Sequence, residues 1–365
     1  MSIIFIAALA VLQVLIVFLS FVIYKVFAAA FGIGGSTLLV FFVALSFTFI
    51  VASVLASRYK NWLVRWFHFA STCWFAFIGP LFCGCIAFLL IENIALVFGW
   101  QIIPSVAGWL SFGGAVLLYI YGIGNARITN ITRVSVKIPD CPEWWHGKKI
   151  VFISDTHFGN EYGAHFAAKI VQKMSSCAPQ AVFIGGDFFD GVRCDPDAIL
   201  SPFRKLSVPY GIYFSSGNHE YYGDSELFFD AVRRAGIIIL KNEKKTIEGM
   251  NFFGVDFKDA GGRKDFENVC AEMEINPAKA NVLIKHIPDN LDIAERAGVS
   301  LELSGHTHHG QIFPLSYLTR AIFEGYDYGL KQFGKMAVYT SSGAGASPTP
   351  FRVGTHSEIV CIEFE

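Results

Sequence analysis

Between Met1 and Ala126 the chain carries only five Asp, Glu, Lys or Arg residues: Lys25, Arg58, Lys60, Arg65 and Glu92. A stretch this poor in charge offers water no polar face along a helix, and that limits what it can fold into. A helix that crosses the bilayer core needs about 20 apolar residues. Four runs meet that requirement: Ile3–Ala28, Ser36–Ala56, Phe69–Phe98 and Ala107–Ile123. The first is too long for a signal peptide, lacks a basic start and is followed by three more, so it reads as a span. Pro80 falls inside the third and predicts a kink or a tilt.

Loop charge sets the expected orientation. Arg58, Lys60 and Arg65 stand between the second and third runs, and Arg127, Arg133 and Lys137 follow the fourth. The short loops near Gly32–Gly35 and Gln101–Ser105 are uncharged. Basic loops stay in the cytoplasm, so both termini and everything after the fourth span are expected there, at the cell membrane. A re-entrant run would reverse that result.

The sequence therefore divides into a membrane domain over residues 1–126, a linker over 127–148 and a water-soluble domain over 149–365. The whole chain is 16% charged, against about 25% in soluble proteins, and the shortfall lies in the first third. Trp144 and Trp145 in the linker suit either the headgroup level or packing on the following strand. A net charge of -1 gives no basic footprint for nucleic acid, so no nucleic-acid partner is expected. Beyond Ala126 the chain has five scattered cysteines and no CxxC, which fits a reducing compartment better than a disulfide framework.

Five short apolar runs in that part read as buried strands, and each ends in polar residues. Lys149–Ile153 leads to Asp155 and His157, and Ala181–Ile184 to Asp187. Gly211–Ser215 leads to Asn218, His219 and Glu220. Asn281–Lys285 leads to His286, and Leu301–Gly305 to His306 and His308. Open α/β sheets place their sites at the carboxyl ends of their strands, so these distant residues are expected to converge.

Imidazoles and carboxylates are ligands of divalent metals such as Mn, Fe, Co or Zn. The seven groups Asp155, His157, Asp187, Asn218, His286, His306 and His308 are too many for one tetrahedral ion. They suit two ions sharing a carboxylate, an arrangement that clamps a phosphoryl group and activates a water.

SDTHFG at Ser154–Gly159, GGDFFDG at Gly185–Gly191, GNHE at Gly217–Glu220, KH at Lys285–His286 and GHTHHGQ at Gly305–Gln311 resemble the calcineurin-like metallophosphoesterases. The five blocks in this order span the whole soluble part. The tail Ser341–Arg352 resembles the membrane-associated bacterial branch, some of whose members act on lipid or lipid-linked phosphates. The resemblance implies a four-layer α/β/β/α sandwich after the four transmembrane helices. It implies that Asp155, His157 and His308 hold one metal and Asn218, His286 and His306 a second, with Asp187 bridging. His219 would assist the leaving group as proton donor or charge stabiliser. His309 departs from the branch's usual glycine, either as an added phosphate contact or as a tolerated surface change.

The expected function is dimetal-dependent hydrolysis of a phosphoester or pyrophosphate, in a membrane-associated or lipid-linked substrate, with membrane lipids as neighbours. The alternatives are a tethered phosphodiesterase of soluble nucleotides and a non-catalytic membrane sensor or scaffold. His165 reads as a solvated helix residue and Asp256 as a turn residue, and His356 has no evident partner. Phe158, Phe188, Phe189, Tyr221 and Tyr222 flank the motifs as packing or as the wall of an apolar groove.

Overall fold

Each of the four apolar runs forms one uninterrupted helix in the computed structural model, which describes residues 3–59, 61–191 and 194–365. Lys60, one of the basic residues that set the expected orientation, lies outside the described residues. The helices are α1 (Ile3–Phe31), α2 (Ser36–Arg58), α3 (Trp62–Phe98) and α4 (Pro104–Ala126). All four are long and apolar enough to cross a membrane.

α3 begins seven residues earlier than hydropathy indicates, because Asn61 caps it by accepting the Val64 N–H. Its 37 residues, at 1.5 Å each, run about 55 Å, well beyond a bilayer core. α4 opens on Pro104, whose missing N–H costs nothing at a helix start. Small residues bring the helices together: Gly84 of α3 faces Ala115 and Phe112 of α4, and Gly108 faces Ala30 and Phe31 of α1. The helices form one compact unit, Met1–Gly124 with Pro348–Phe351, and the Phe351 ring stacks on Tyr119 at 5.9 Å.

The second unit, Asn125–Ser347 with Arg352–Glu365, is an α/β domain. It runs β1 (Thr129–Val136), β2 (Lys149–Ile153), α5 (Ala164–Ser176), β3 (Ala181–Gly185), α6 (Pro196–Leu200), β4 (Ile212–Ser215), α7 (Ser225–Arg234) and β5 (Ile238–Ile239). It continues with β6 (Glu243–Ile247), β7 (Met250–Gly254), α8 (Arg263–Glu272), β8 (Asn281–Ile284), α9 (Leu291–Ala297) and β9 (Leu301–Ser304). α10 (Leu315–Ile322), β10 (Gly329–Phe333), β11 (Met336–Thr340) and β12 (Ser357–Phe364) complete it.

The strands form two mixed sheets, ordered β1-β12-β2-β3-β4-β5 and β10-β11-β9-β8-β7-β6. Their central strands are buried on both faces, which is why they read as continuous apolar runs rather than alternating ones. Phe152, Phe183, Phe252, Val282 and Leu303 fill the space between the sheets. Ile170, Phe203 and Val232 pack the outer helices on the first sheet, and Phe266, Val269 and Ala294 do so on the second.

The stretch 127–148 is not a linker. Thr129–Val136 is strand β1, paired in parallel with β12 from Thr129 opposite Ser357 to Val136 opposite Phe364. β12 lies too far along the chain for local patterning to reveal this partner. Trp145 is fully buried, its indole N–H donates to Ile247 O at 3.0 Å, and its ring meets Phe252 and Phe364. Packing, not the headgroup level, therefore explains it.

Candidate metal centre

The five strands that carry the candidate ligands beyond their ends are β2, β3 and β4 of the first sheet and β8 and β9 of the second. Their loops carry the candidate ligands in unusual backbone. Asp155, His157, Asp187, His306 and His308 all have φ between 48 and 68°. Non-glycine residues rarely adopt this region, at a cost of order 1–3 kcal/mol each when held there. Tight hydrogen bonds hold them: Asp155 N–H to Gly186 O at 3.0 Å, His157 N–H to Asp187 O at 3.1 Å, and His306 N–H to the Asp155 carboxylate at 3.0 Å. Glycines make the close approach possible. A Cβ at Gly217 would overlap the Asp187 carboxylate, and one at Gly305 would overlap Asp155.

The loops bring together three groups whose ligand atoms lie within 4.8 Å of one another: Asp155, His157 and His308; Asp187, His286 and His306; and His157, Asp187 and His219. Asp187 Oδ2 is 3.2 Å from His286 Nε2 and 3.9 Å from both His157 Nε2 and His219 Nε2. The carboxylate thus stands between the first two groups. Asn218 adjoins through its own loop, its side-chain N–H donating to Tyr222 Oη at 2.9 Å.

Several ring orientations are fixed by partners that only accept. His286 Nδ1 lies 2.8 Å from Gly185 O, and His157 Nδ1 lies 3.1 Å from Asp190 Oδ1. Each Nδ1 therefore carries a proton, and each Nε2 is the nitrogen left to bind a cation. Two of the atoms so presented, His286 Nε2 and Asn218 Oδ1, are buried without a hydrogen-bond partner. His157 Nε2 and His308 Nε2 face each other at 3.1 Å. Buried donor atoms left without a protein partner, as at His286 Nε2 and Asn218 Oδ1, suit a cation.

The electrostatics agree. Burial pushes the Asp155 carboxyl up, and the neighbouring Asp187 adds to this against His286 and His157. Burial would also raise Asp187, but His286, His219 and His157 together hold it well below the usual carboxylate range. Burial works against protonation of His286 and His219. Asp187 nevertheless raises His286 to about 10, and hydrogen bonding to Asp190 raises His219 to about 9. Burial and the neighbouring His286 lower His306 to about 3. Burial, His157 and Arg352 hold His308 well below its ordinary value. Buried carboxylates here demand positive charge, which imidazolium or a divalent cation supplies.

His219 stands apart. Its ring keeps some exposure, and its Nδ1 lies 3.4 Å from Asp190 Oδ1 and 3.3 Å from Asp190 O. The group that includes it borrows both other members, His157 and Asp187, from the two fuller groups.

Three supporting residues went unassigned in the sequence. Asp190 joins His157, His219 and Ser347, and its carboxyl is lowered because hydrogen bonds from the two histidines outweigh burial. Glu220, fully buried, accepts the N–H groups of Asp187, Phe189 and Gly217 at 2.7–3.0 Å. Both lie inside quoted motifs, at GGDFFDG and GNHE, and that position was their only signal. Arg352 ends the tail segment and is buried. Its guanidinium donates to His308 O, Ser342 O and Gly345 O.

Other residues fall where packing puts them. Phe158, Phe188 and Phe189 are core, which removes them from any apolar groove. Tyr221 donates to the buried Asp256 at 2.5 Å, while Tyr222 is exposed. His165 is exposed, and His356 lies 3.3 Å from Tyr328 Oη. His309 bonds Asp327 at 2.9 Å and stacks on Tyr328 at 4.5 Å.

Comparison with known proteins gives a consistent result. Residues 148–310 match the calcineurin-like phosphoesterase family. An uncharacterised metallophosphoesterase of Campylobacter jejuni is 31% identical over 256 residues, covering 69% of this chain and 67% of that protein. An uncharacterised metallophosphoesterase of Aquifex aeolicus is 30% identical, covering 68% of this chain and 96% of that protein. A Danio rerio transmembrane protein with a metallophosphoesterase domain is 29% identical, covering 67% of this chain but 60% of its own length.

Proposed function

The chain belongs to the calcineurin-like phosphoesterase family and is a metal-dependent phosphoesterase, and on that premise we propose that it hydrolyses a phosphoester or pyrophosphate in a membrane-associated or lipid-linked substrate. The observation that carries the reading is Asp187, whose carboxylate stands between the Asp155–His157–His308 and His286–His306 groups. In this reading Asp155, His157 and His308 hold one divalent ion, and Asn218, His286 and His306 a second, with Asp187 shared. Mn, Fe, Zn and Co all suit this donor set. The chemistry that two such ions supply when bound is Lewis-acid stabilisation of phosphoryl oxygens and a water of lowered pKa.

The protein's own part is orientation and proton transfer. Gly185 O and Asp190 fix the His286 and His157 rings through Nδ1. Asp190 holds His219 in the same way and leaves its Nε2 on the Asp187 side, placed to protonate a leaving oxygen. Four membrane helices in the same chain support a substrate at the bilayer, because tethering raises the local concentration of a lipid.

The test uses full-length, Mn-loaded protein in lipid nanodiscs. Turnover of extracted membrane lipids, followed by mass spectrometry, is compared with turnover of a soluble chromogenic phosphodiester. Faster release from lipid is expected. Turnover confined to the soluble ester would remove the lipid substrate, and none on either would remove catalysis. The basic loop containing Arg58 and Arg65 supports a cytoplasmic catalytic domain. A C-terminal reporter active only outside the cytoplasm would overturn that placement.

A further inference from the structure

Helices on a water-soluble domain normally turn their apolar face inward. α10 does the reverse. Leu315, Leu318 and Ile322 share one face at spacings of three and four residues, with Tyr317 and Ala321 beside them, while Ser316, Thr319 and Arg320 share the other. Ser316 and Thr319 are half-buried, whereas Leu315, Tyr317, Leu318 and Ile322 are 49, 66, 59 and 63% exposed. On the polar side Ser316 is the packed residue, its backbone closing on Gly310, where a Cβ has no room, while Arg320 stays exposed. Phe313, also exposed, meets Tyr317 edge-on at 5.8 Å and extends the patch. Among the described residues beyond Ala126, ten large hydrophobic side chains are exposed, and five of them stand in this ten-residue stretch. Scattered exposed apolar residues need no explanation, but a contiguous patch does.

The patch adjoins the metal centre at both ends. Gly310 ends the turn that begins at His308, and the Phe323 ring, just past α10, lies 6.2 Å from the His306 ring.

The chain itself identifies an occupant. Four helices of lipid-crossing length are joined to this domain, with only Arg127 and Ile128 between α4 and β1. A second connection passes through Pro348–Phe351, which groups with those helices. Arg352 follows, and then Val353, whose carbonyl accepts the Phe313 N–H at 2.8 Å. Lipid is therefore an apolar phase this chain already enters, and the domain that carries the patch is joined to those helices through two residues, Arg127 and Ile128. Its composition suits the interface: leucine, isoleucine and phenylalanine for the acyl boundary, with the Tyr317 hydroxyl and Arg320 for the headgroups.

We propose that α10 and Phe313 form an interfacial docking element that lies at the headgroup–acyl boundary of the bilayer and holds the mouth of the metal centre against it. The proposal stands whether the hydrolysed phosphoester is a lipid or a soluble compound.

The test reconstitutes the full chain in nanodiscs of phosphatidylethanolamine and phosphatidylglycerol doped with a phospholipid that carries a photoreactive diazirine near its headgroup. After irradiation, labelled peptides are mapped by mass spectrometry. Label is expected in residues 313–322 as well as in the four spans. A Leu315→Ser, Leu318→Ser, Ile322→Ser variant should lose that label several-fold. It should keep the label in the spans, its metal content and its turnover of a soluble phosphodiester. If the triple variant fails to fold, Leu318→Ser alone should show the same loss in smaller measure. Absence of label at 313–322 in the unaltered protein would overturn the proposal. So would cross-linking of this segment to a second copy of the chain, or undiminished label in a folded variant.

Discussion

The two sheets contribute unequally to the metal centre. Loops of the first sheet supply both candidate ligand carboxylates and the amide, Asp155, Asp187 and Asn218, together with His157. Loops of the second supply imidazoles alone: His286, His306 and His308. Each of the two fuller ligand groups draws on both sheets. Negative charge therefore comes from one layer and nitrogen donors come largely from the other. Among the described residues, the groups that could hold a cation stand where the two layers dock. Backbone in the left-handed region appears on both sides of that junction, at Asp187 and at His306 alike.

The sharpest way to break this comparison is to remove one ligand from each side. Asp187→Ala should abolish activity and lower bound metal from two ions towards one or none, because its carboxylate faces both groups. His306→Ala, which faces one group, should leave about one ion per chain. Both losses should exceed the roughly 10–100-fold typical of a supporting residue. Metal analysis that finds two ions in Asp187→Ala would dissolve the shared-carboxylate assignment.

His219→Ala tests whether a histidine on the first sheet's side acts on substrate rather than metal. Turnover should fall about 10²–10⁴-fold with metal content near normal. Loss of metal would move His219 into the ligand set. Asp190→Asn should cost less, about 10–100-fold, because it leaves every ligand in place and weakens only the orientation of His157 and His219. An unchanged rate would show that packing alone orients those rings.

The smallest effect sharpens the contrast in charge. Glu302, on β9 of the second sheet, is fully buried, accepts from Ser304 Oγ, and faces Lys285 and Asp289. Burial pushes its carboxyl up to about 7, against the pull of Lys285. A carboxyl whose folded pKa lies above its unfolded value gives stability that is complete below the unfolded pKa. That stability is lost as pH rises through about 7. Thermal stability should therefore fall from about pH 5 to 8, by on the order of 1–3 kcal/mol. Glu302→Gln should flatten that slope, and an unaltered slope would assign it to another group.

Much of this was legible in the sequence, for definite reasons. The spans showed because a bilayer demands an apolar length that no other element needs, and only helix ends such as Asn61 were misjudged, since a cap is a single hydrogen bond. The seven candidate ligands showed because each follows a strand buried on both faces, and such strands leave a continuous apolar run. Thr129–Val136 was hidden because a strand at the sheet edge carries polar residues, and its partner β12 lies more than 220 residues away. Asp190, Glu220 and Arg352 stood in or beside recognisable motifs but acquired a role only through what they touch.

By itself the sequence determined the division into apolar helices and an α/β domain, and the residue types that gather at the strand ends. These depend on composition and short-range periodicity, which local reading captures. Tertiary structure alone decided that Asp187 stands between two groups of ligands, that Trp145 is core, and that α10 turns its leucines outward. Each of those depends on which distant surfaces meet, and helical periodicity is the same whether a face is packed or bare.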